Sequence, residues 1–139
     1  MVASVVYQAN PVAPLASSTV FMKEITRVAR EQRDQIAAYG ARTSWPSGFT
    51  IYEQGAQADG IFMVLRGQVV LRNQVGASRS FVPWVATAGE TFGGEGLEGS
   101  SVYASQARAE EESETLHLSS ARFSAMLREQ PATALILLR

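Results

Sequence analysis

The sequence predicts a mainly β fold with helices at both ends. Between residues 42 and 118, short runs rich in β-forming residues recur at nearly regular spacing and are separated by glycine-containing turns, which is typical of a β-barrel or sandwich. Helical spacing of apolar residues occurs only before residue 40 and after residue 119. With 139 residues, 46% hydrophobic and 18% charged, the chain has the size and balance of one globular domain.

The first 40 residues divide into an arm and a helical region. Residues 1–17 contain Pro11 and Pro14 and show no helical period, so we expect a flexible arm. From residue 18 the spacing becomes helical, and Gly40 is the expected end of helices over residues 18–40. One face of this region carries the apolar residues Phe21, Ile25, Val28 and Ala29.

A β region is predicted over residues 42–118. Seven runs have the composition of strands, with a turn or a glycine between most of them. Pro83 lies inside the fifth run, which indicates a sheet edge or a bulge because proline has no N–H for a ladder. The seven runs are residues 42–45, 49–52, 61–65, 68–72, 79–87, 105–111 and 115–118.

Helices return over residues 119–139. Ser119 or Ser120 is the expected N-cap, and Pro131 suits the first turn of a last helix. That last helix is apolar on nearly all sides, so we expect it to be covered by a partner chain or by further sequence. The apolar face of the preceding helix consists of Phe123, Met126 and Leu127.

Composition excludes several classes of site. The chain has no Cys and one His, so neither a disulfide framework, a Cys-ligated cluster nor a multi-His metal site is expected. His117 is interpreted as a surface or hydrogen-bonded structural residue. No Ser-His-Asp or paired-carboxylate arrangement is visible, so we expect no enzyme. The net charge of −1 does not favour nucleic-acid binding by this chain.

The chain shows no targeting signal. No apolar run approaches the roughly 20 residues that span a bilayer, and the N-terminus lacks the basic region of a signal peptide. A cytoplasmic protein without a membrane partner is therefore expected.

A glycine-rich stretch covers residues 91–104. Gly93, Gly94, Gly96 and Gly99 let the backbone approach a partner closely, and successive exposed N–H groups can hold an anion. The same composition is also compatible with a mobile surface loop. The residues alone leave both interpretations open.

The order of these glycines and strands resembles the cyclic-nucleotide-binding domain, in particular the sensor half of bacterial Crp/Fnr-type transcription regulators. The resemblance covers roughly residues 30–139 and depends on the ordered set rather than on one motif. It is carried by Pro46-Ser47-Gly48, Tyr52-Glu53-Gln54-Gly55, Asp59-Gly60 followed by the strand to Arg66-Gly67, Ala88-Gly89-Glu90-Thr91-Phe92-Gly93, and Gln130-Pro131.

The resemblance implies an eight-stranded β-roll, which is a jelly-roll-like double-stranded β-helix, with N-terminal helices and the start of a C-terminal dimerisation helix. It also implies a phosphate-binding cassette for a small-molecule effector. In such regulators the dimerisation helix makes a homodimer, and a helix-turn-helix domain, absent from these 139 residues, binds DNA. An alternative is a stand-alone or fused interaction module of a channel, transporter or kinase.

The candidate cassette departs from the family pattern of Phe-Gly-Glu with an Arg nine residues later. Gly94 stands at the Glu position and Tyr103 at the position of the Arg that pairs with the phosphate, while Glu95 is one residue late. The nearest basic residue is Arg108, a possible phosphate partner or a solvent-facing strand residue. We therefore predict weak or absent binding of cyclic AMP and cyclic GMP. The candidate residues are Phe92, Gly93, Gly94, Glu95, Gly96, Leu97, Tyr103 and Ala104.

Strand alternation suggests what lines the pocket. Val82, Trp84 and Ala86 fall on one face of their strand, so they are expected to line the cavity. Such a cavity would suit an apolar or aromatic small molecule as effector, and no cofactor is certain. Alternatively, the rings fill the roll as core.

Overall fold

Among the residues that the structure describes, eight strands form two antiparallel four-stranded sheets that enclose a core between them. The computed structural model describes residues 28–97, 99 and 102–138, so the arm predicted over residues 1–17 lies outside the described residues. The strands are β1 (Ala41–Trp45), β2 (Thr50–Tyr52), β3 (Ile61–Arg66), β4 (Gln68–Val75), β5 (Arg79–Thr87), β6 (Thr91–Phe92), β7 (Gln106–Ala109) and β8 (Ser113–Leu118). The strand orders are β1-β8-β3-β6 and β2-β7-β4-β5.

This architecture confirms the predicted mainly β fold and the β-roll. The residue pattern reveals seven of the eight strands, and the eighth is β6. Two residues are too few to show an alternation, so β6 exists through its pairing with Phe62 and Met63 of β3 rather than through its own composition.

The prediction made for Pro83 is confirmed. The strand that contains Pro83, β5, is at the edge of its sheet, and among the described strands it pairs with β4 alone. Leu71 pairs with Trp84 and Asn73 pairs with Phe81, so two steps along β4 oppose three along β5. The extra residue forms a β-bulge beside the proline, where a missing N–H costs least.

Helices cover one side of the first sheet. Ser119 is the N-cap of the second helix, its Oγ accepting a hydrogen bond from the N–H of Arg122 at 3.1 Å, and Pro131 opens the third helix, both as predicted. Leu127 was expected on the apolar face, but it is 40% exposed because the face that packs is formed by Phe123 and Met126. The helices are α1 (Arg30–Ala37), α2 (Ser120–Glu129) and α3 (Pro131–Ile136).

Strand β3 separates two apolar cores. Ile61 and Met63 pack with the helices, whereas Phe62 and Val64 point into the roll between the sheets, as strand alternation requires. The helical core also contains Ile36, Phe123 and Met126. In the described part of the chain, no helix is both long and apolar enough to cross a membrane.

The turn at Gly60 brings three segments of backbone together. Gly60 has φ +70°, and a Cβ atom there would lie 1.7 Å from the carbonyl oxygen of Leu118 at the end of β8. A Cβ atom at Gly96 would lie 2.6 Å from the backbone nitrogen of Gly60. No side chain fits between these segments, so the glycines fix how the cassette, β3 and β8 meet.

Substituting Gly60 measures this constraint. Gly60→Ala is expected to lower the free energy of unfolding by at least about 3 kcal/mol, because the methyl group meets backbone that cannot rotate away. Gly55→Ala is the matched control. Gly55 has φ +85°, but no atom lies within 4 Å of the added Cβ. Its free energy of unfolding should therefore fall only by the cost of the left-handed conformation, about 1–2 kcal/mol. Urea denaturation compares the two, and equal losses would contradict the close-approach argument.

Candidate functional site

The cassette begins where β6 ends. Gly93 has φ +70° and is followed by a short 3-10 helix, Gly94–Gly96. A Cβ atom at Gly93 would lie 2.9 Å from the hydroxyl of Tyr52 and 3.2 Å from the ring of Phe62. The glycine therefore lets the cassette cross directly over two aromatic side chains of the roll.

Four aromatic rings fill the roll beneath the cassette. Tyr103 lies parallel to Tyr52, with ring centroids 3.6 Å apart and planes 11° apart. Phe62 stacks on Phe92 at 5.0 Å, and Tyr52 lies 5.6 Å from Phe62. Tyr103 is only 5% exposed, so its ring is a core side chain of the roll rather than a surface group.

Hydrogen bonds hold Tyr103 on two sides. Its N–H donates to the carbonyl oxygen of Ala56 at 2.9 Å, and its carbonyl oxygen accepts from the N–H of Gly55 at 2.8 Å. Its hydroxyl lies 3.3 Å from the backbone nitrogen of Asp59, which donates to it. Burial raises the pKa of both Tyr103 and Tyr52, and the nearby Glu95 carboxylate adds to both increases.

Glu95 turns back onto the cassette. Its carboxylate oxygen Oε2 accepts a hydrogen bond from the N–H of Ala104 at 3.0 Å. This bond joins the 3-10 helix to the residue that follows Tyr103, and it spans the glycine-rich turn. A backbone N–H at one end of the cassette is thus hydrogen-bonded to a carboxylate near its other end.

The predicted pocket residues have different positions. Ala86 is fully buried and Trp84 is partly buried, and both pack with the aromatic rings in the roll. Val82 is half-buried and lies at the bulge in β5, where the alternation on which its predicted position depends is interrupted. Arg108 is exposed between the buried Ala107 and Ala109, so it points away from the cassette.

Two more cassette residues face the helices rather than the roll. Gly94 and Leu97 line a groove of about 210 Å³ together with Ile61 of β3 and Leu137 just after α3. Leu97 packs on the core beneath the helices. The cassette therefore has one side on the roll and the other side on the C-terminal helices.

His117 is a structural residue, as interpreted from the sequence. Its Nε2 atom lies 2.7 Å from the carbonyl oxygen of Asp59, and its ring is 4.4 Å from the ring of Phe62. In the part of the chain that the structure describes, no group of three or more potential ligands could hold a metal ion.

Sequence reasoning missed Tyr52 and Asp59 as site residues. Tyr52 supplies the ring on which Tyr103 stacks, and Asp59 contacts Tyr103, His117 and Ser120. Both lie in the segments that carry the resemblance, but nothing in their spacing indicates these contacts, because the partners are distant along the chain.

A family model that covers most of the roll identifies the family of this chain. The family model described as the cyclic nucleotide-binding domain matches residues 42–130. The chain belongs to this family. No curated protein sequence matches this chain.

Solved structures of other proteins are similar to this chain in fold. The catabolite activator protein of Thermus thermophilus is 27% identical with a TM-score of 0.71, and the match covers 79% of this chain and 52% of that one. The N-terminal domain of a transcriptional regulator from Streptomyces coelicolor A3(2) is 23% identical (TM-score 0.67, 80% and 79% covered). The c-di-GMP responsive global regulator CLP of Xanthomonas campestris is 18% identical (TM-score 0.71, 78% and 56% covered). The chain spans about half the length of the Thermus protein.

The buried tyrosines of the domain predict a loss of stability in alkali. Unfolded tyrosines ionise near pH 10, whereas burial raises the pKa of Tyr52, so above pH 10 the unfolded state releases a proton that the native state keeps. Stability falls there by up to about 1.4 kcal/mol per pH unit for each such group. Tyr52→Phe keeps the ring, so its unfolding free energy should fall less between pH 9 and 11. Equal losses in both proteins would contradict the assignment.

Proposed function

We propose that this chain is the effector-sensing domain of a Crp/Fnr-type transcription regulator whose cassette binds cyclic AMP and cyclic GMP weakly or not at all. The observation that carries the proposal is the stack of Tyr103 on Tyr52. Tyr103 stands where the resemblance expects the arginine that pairs with the phosphate, and its ring occupies the interior of the roll.

Charge supports the proposal. A neutral tyrosine cannot replace an arginine–phosphate pair, and a lost charged hydrogen bond costs about 1.5–3 kcal/mol, which is roughly ten- to several-hundred-fold in affinity. Arg108 on β7 and Arg72 on β4 are both exposed, and neither is brought into the roll where a phosphate would need a cation.

Packing supports it as well. A ligand that entered the roll would have to displace the Tyr103 ring, which loses the stacking energy of about 0.5–1.5 kcal/mol in addition to the burial of the ring. An apolar or aromatic small molecule could replace the contacts of that ring, whereas a cyclic phosphate could not. An apolar or aromatic small molecule is therefore the better candidate for the effector.

The regulator is favoured over an interaction module of a channel or kinase because the similar structures include a catabolite activator protein and transcriptional regulators. In the full-length regulator, we propose a homodimer through the C-terminal helix, where Leu135 and Leu138 are 56% and 52% exposed. DNA would be bound by a separate helix-turn-helix domain.

Calorimetric titration with cyclic AMP and cyclic GMP tests the proposal. The native protein should show no binding in the low micromolar range. Tyr103→Arg should bind cyclic AMP at least about tenfold more tightly than the native protein, because the substitution removes the ring and supplies the missing cation.

Tyr103→Ala is the control, because it opens the same space without adding a charge. It should gain less affinity than Tyr103→Arg, and equal gains would mean that the ring alone excludes the nucleotide. Binding of cyclic AMP to the native protein with a low micromolar or tighter Kd would refute the proposal.

A further inference from the structure

Glu95 forms a contact that the loss of the arginine does not explain. Its carboxylate accepts a hydrogen bond from the N–H of Ala104 at 3.0 Å. Ala104 follows Tyr103 directly, so its N–H is the backbone donor next to the position where a ligand phosphate is expected. A backbone N–H in a glycine-rich turn is a donor that anions use.

Burial raises the pKa of the adjacent Tyr103 hydroxyl, and the negative charges of Asp59 and Glu95 raise it further. Within residues 28–97, 99 and 102–138, Glu95 has no ion-pair partner. The backbone N–H of Asp59 donates to the hydroxyl of Tyr103, and Glu53 accepts a hydrogen bond from Gln106 at 3.1 Å, just after the cassette. An anion that approached the Ala104 N–H would meet a carboxylate already bound there.

We propose that Glu95 sets the charge selectivity of the cassette: its carboxylate occupies the Ala104 N–H that an anionic ligand would need, so the site excludes anions and selects effectors without negative charge. The inference rests on the proposed function, in that it takes the cassette to be an effector site. It adds a second barrier to cyclic nucleotides that is independent of Tyr103, since it acts through another residue and another contact.

The test follows the amide resonance of Ala104 in the nitrogen–proton NMR spectrum while sodium phosphate is added. Sodium chloride at the same ionic strength is the reference. In the native protein the resonance should not respond to phosphate beyond that reference. In Glu95→Ala it should shift in a saturable way, with an affinity for phosphate at least about tenfold higher, and the freed amide should exchange with solvent faster.

Two further variants separate charge from contact. Glu95→Gln keeps a hydrogen-bond acceptor without the charge, so the Ala104 amide should stay protected and the phosphate response should be intermediate. Glu53→Gln removes one negative charge near the cassette without touching Ala104, so its phosphate response should stay well below that of Glu95→Ala. Unshifted resonances of core amides such as Val64 confirm that each variant is folded.

Two results would overturn the inference. One is a native Ala104 amide that titrates with phosphate as in Glu95→Ala, and the other is a response of Glu95→Ala no larger than that of Glu53→Gln. Neither result depends on cyclic nucleotide binding, so a failure here is distinguishable from a failure of the proposed function in calorimetry.

Discussion

The Asp59-Gly60 turn is the constraint on which the rest of the structure depends. At Gly60 the backbones of β3 and β8 approach so closely that a single Cβ atom would collide with the carbonyl oxygen of Leu118, and the cassette reaches the same point through Gly96. The neighbouring Asp59 adds polar contacts: its carboxylate accepts a hydrogen bond from the N–H of Ser120 at 3.1 Å. Roll, cassette and helix α2 therefore share one junction, in which no side chain fits between the backbones.

The interior of the roll shows how the same fold can serve as core or as binding site. A ring that fills the space gains apolar burial and stacking, and a ligand in the same place would have to displace it. Tyr52 and Tyr103 take this course, and Gly93 admits the hydroxyl of Tyr52 where a side chain would collide with it. A ligand that took the place of these rings would have to make contacts that stabilise the domain as much as the rings do.

Much of the fold could be predicted because glycines and β-forming residues mark the turns and strands locally. Strand β6 could not be predicted because it has only two residues, and the alternation that places Val82 is interrupted by the extra residue of a bulge. The cassette could be located from its glycines, but its contacts could not be predicted. The Tyr52–Tyr103 stack joins distant strands, and the Glu95–Ala104 bond depends on how a short 3-10 helix aims one side chain. Neither follows from residue spacing.

The contacts of Asp59 with the helices and β8 are shorter than its contacts with Tyr103. Toward the helices and β8 they are short: 3.1 Å from Ser120 and 2.7 Å from Nε2 of His117. Hydrogen bonds from Ser120 also lower the pKa of the Asp59 carboxyl, so this carboxylate stays charged at the N-terminus of α2, where a negative charge is favourable. Toward the roll, the hydroxyl of Tyr103 lies 3.3 Å and 3.4 Å from backbone atoms of Asp59, which is long for hydrogen bonds. The Asp59 carboxylate thus holds the start of helix α2, while its backbone atoms contact His117 of β8 and Tyr103 in the roll.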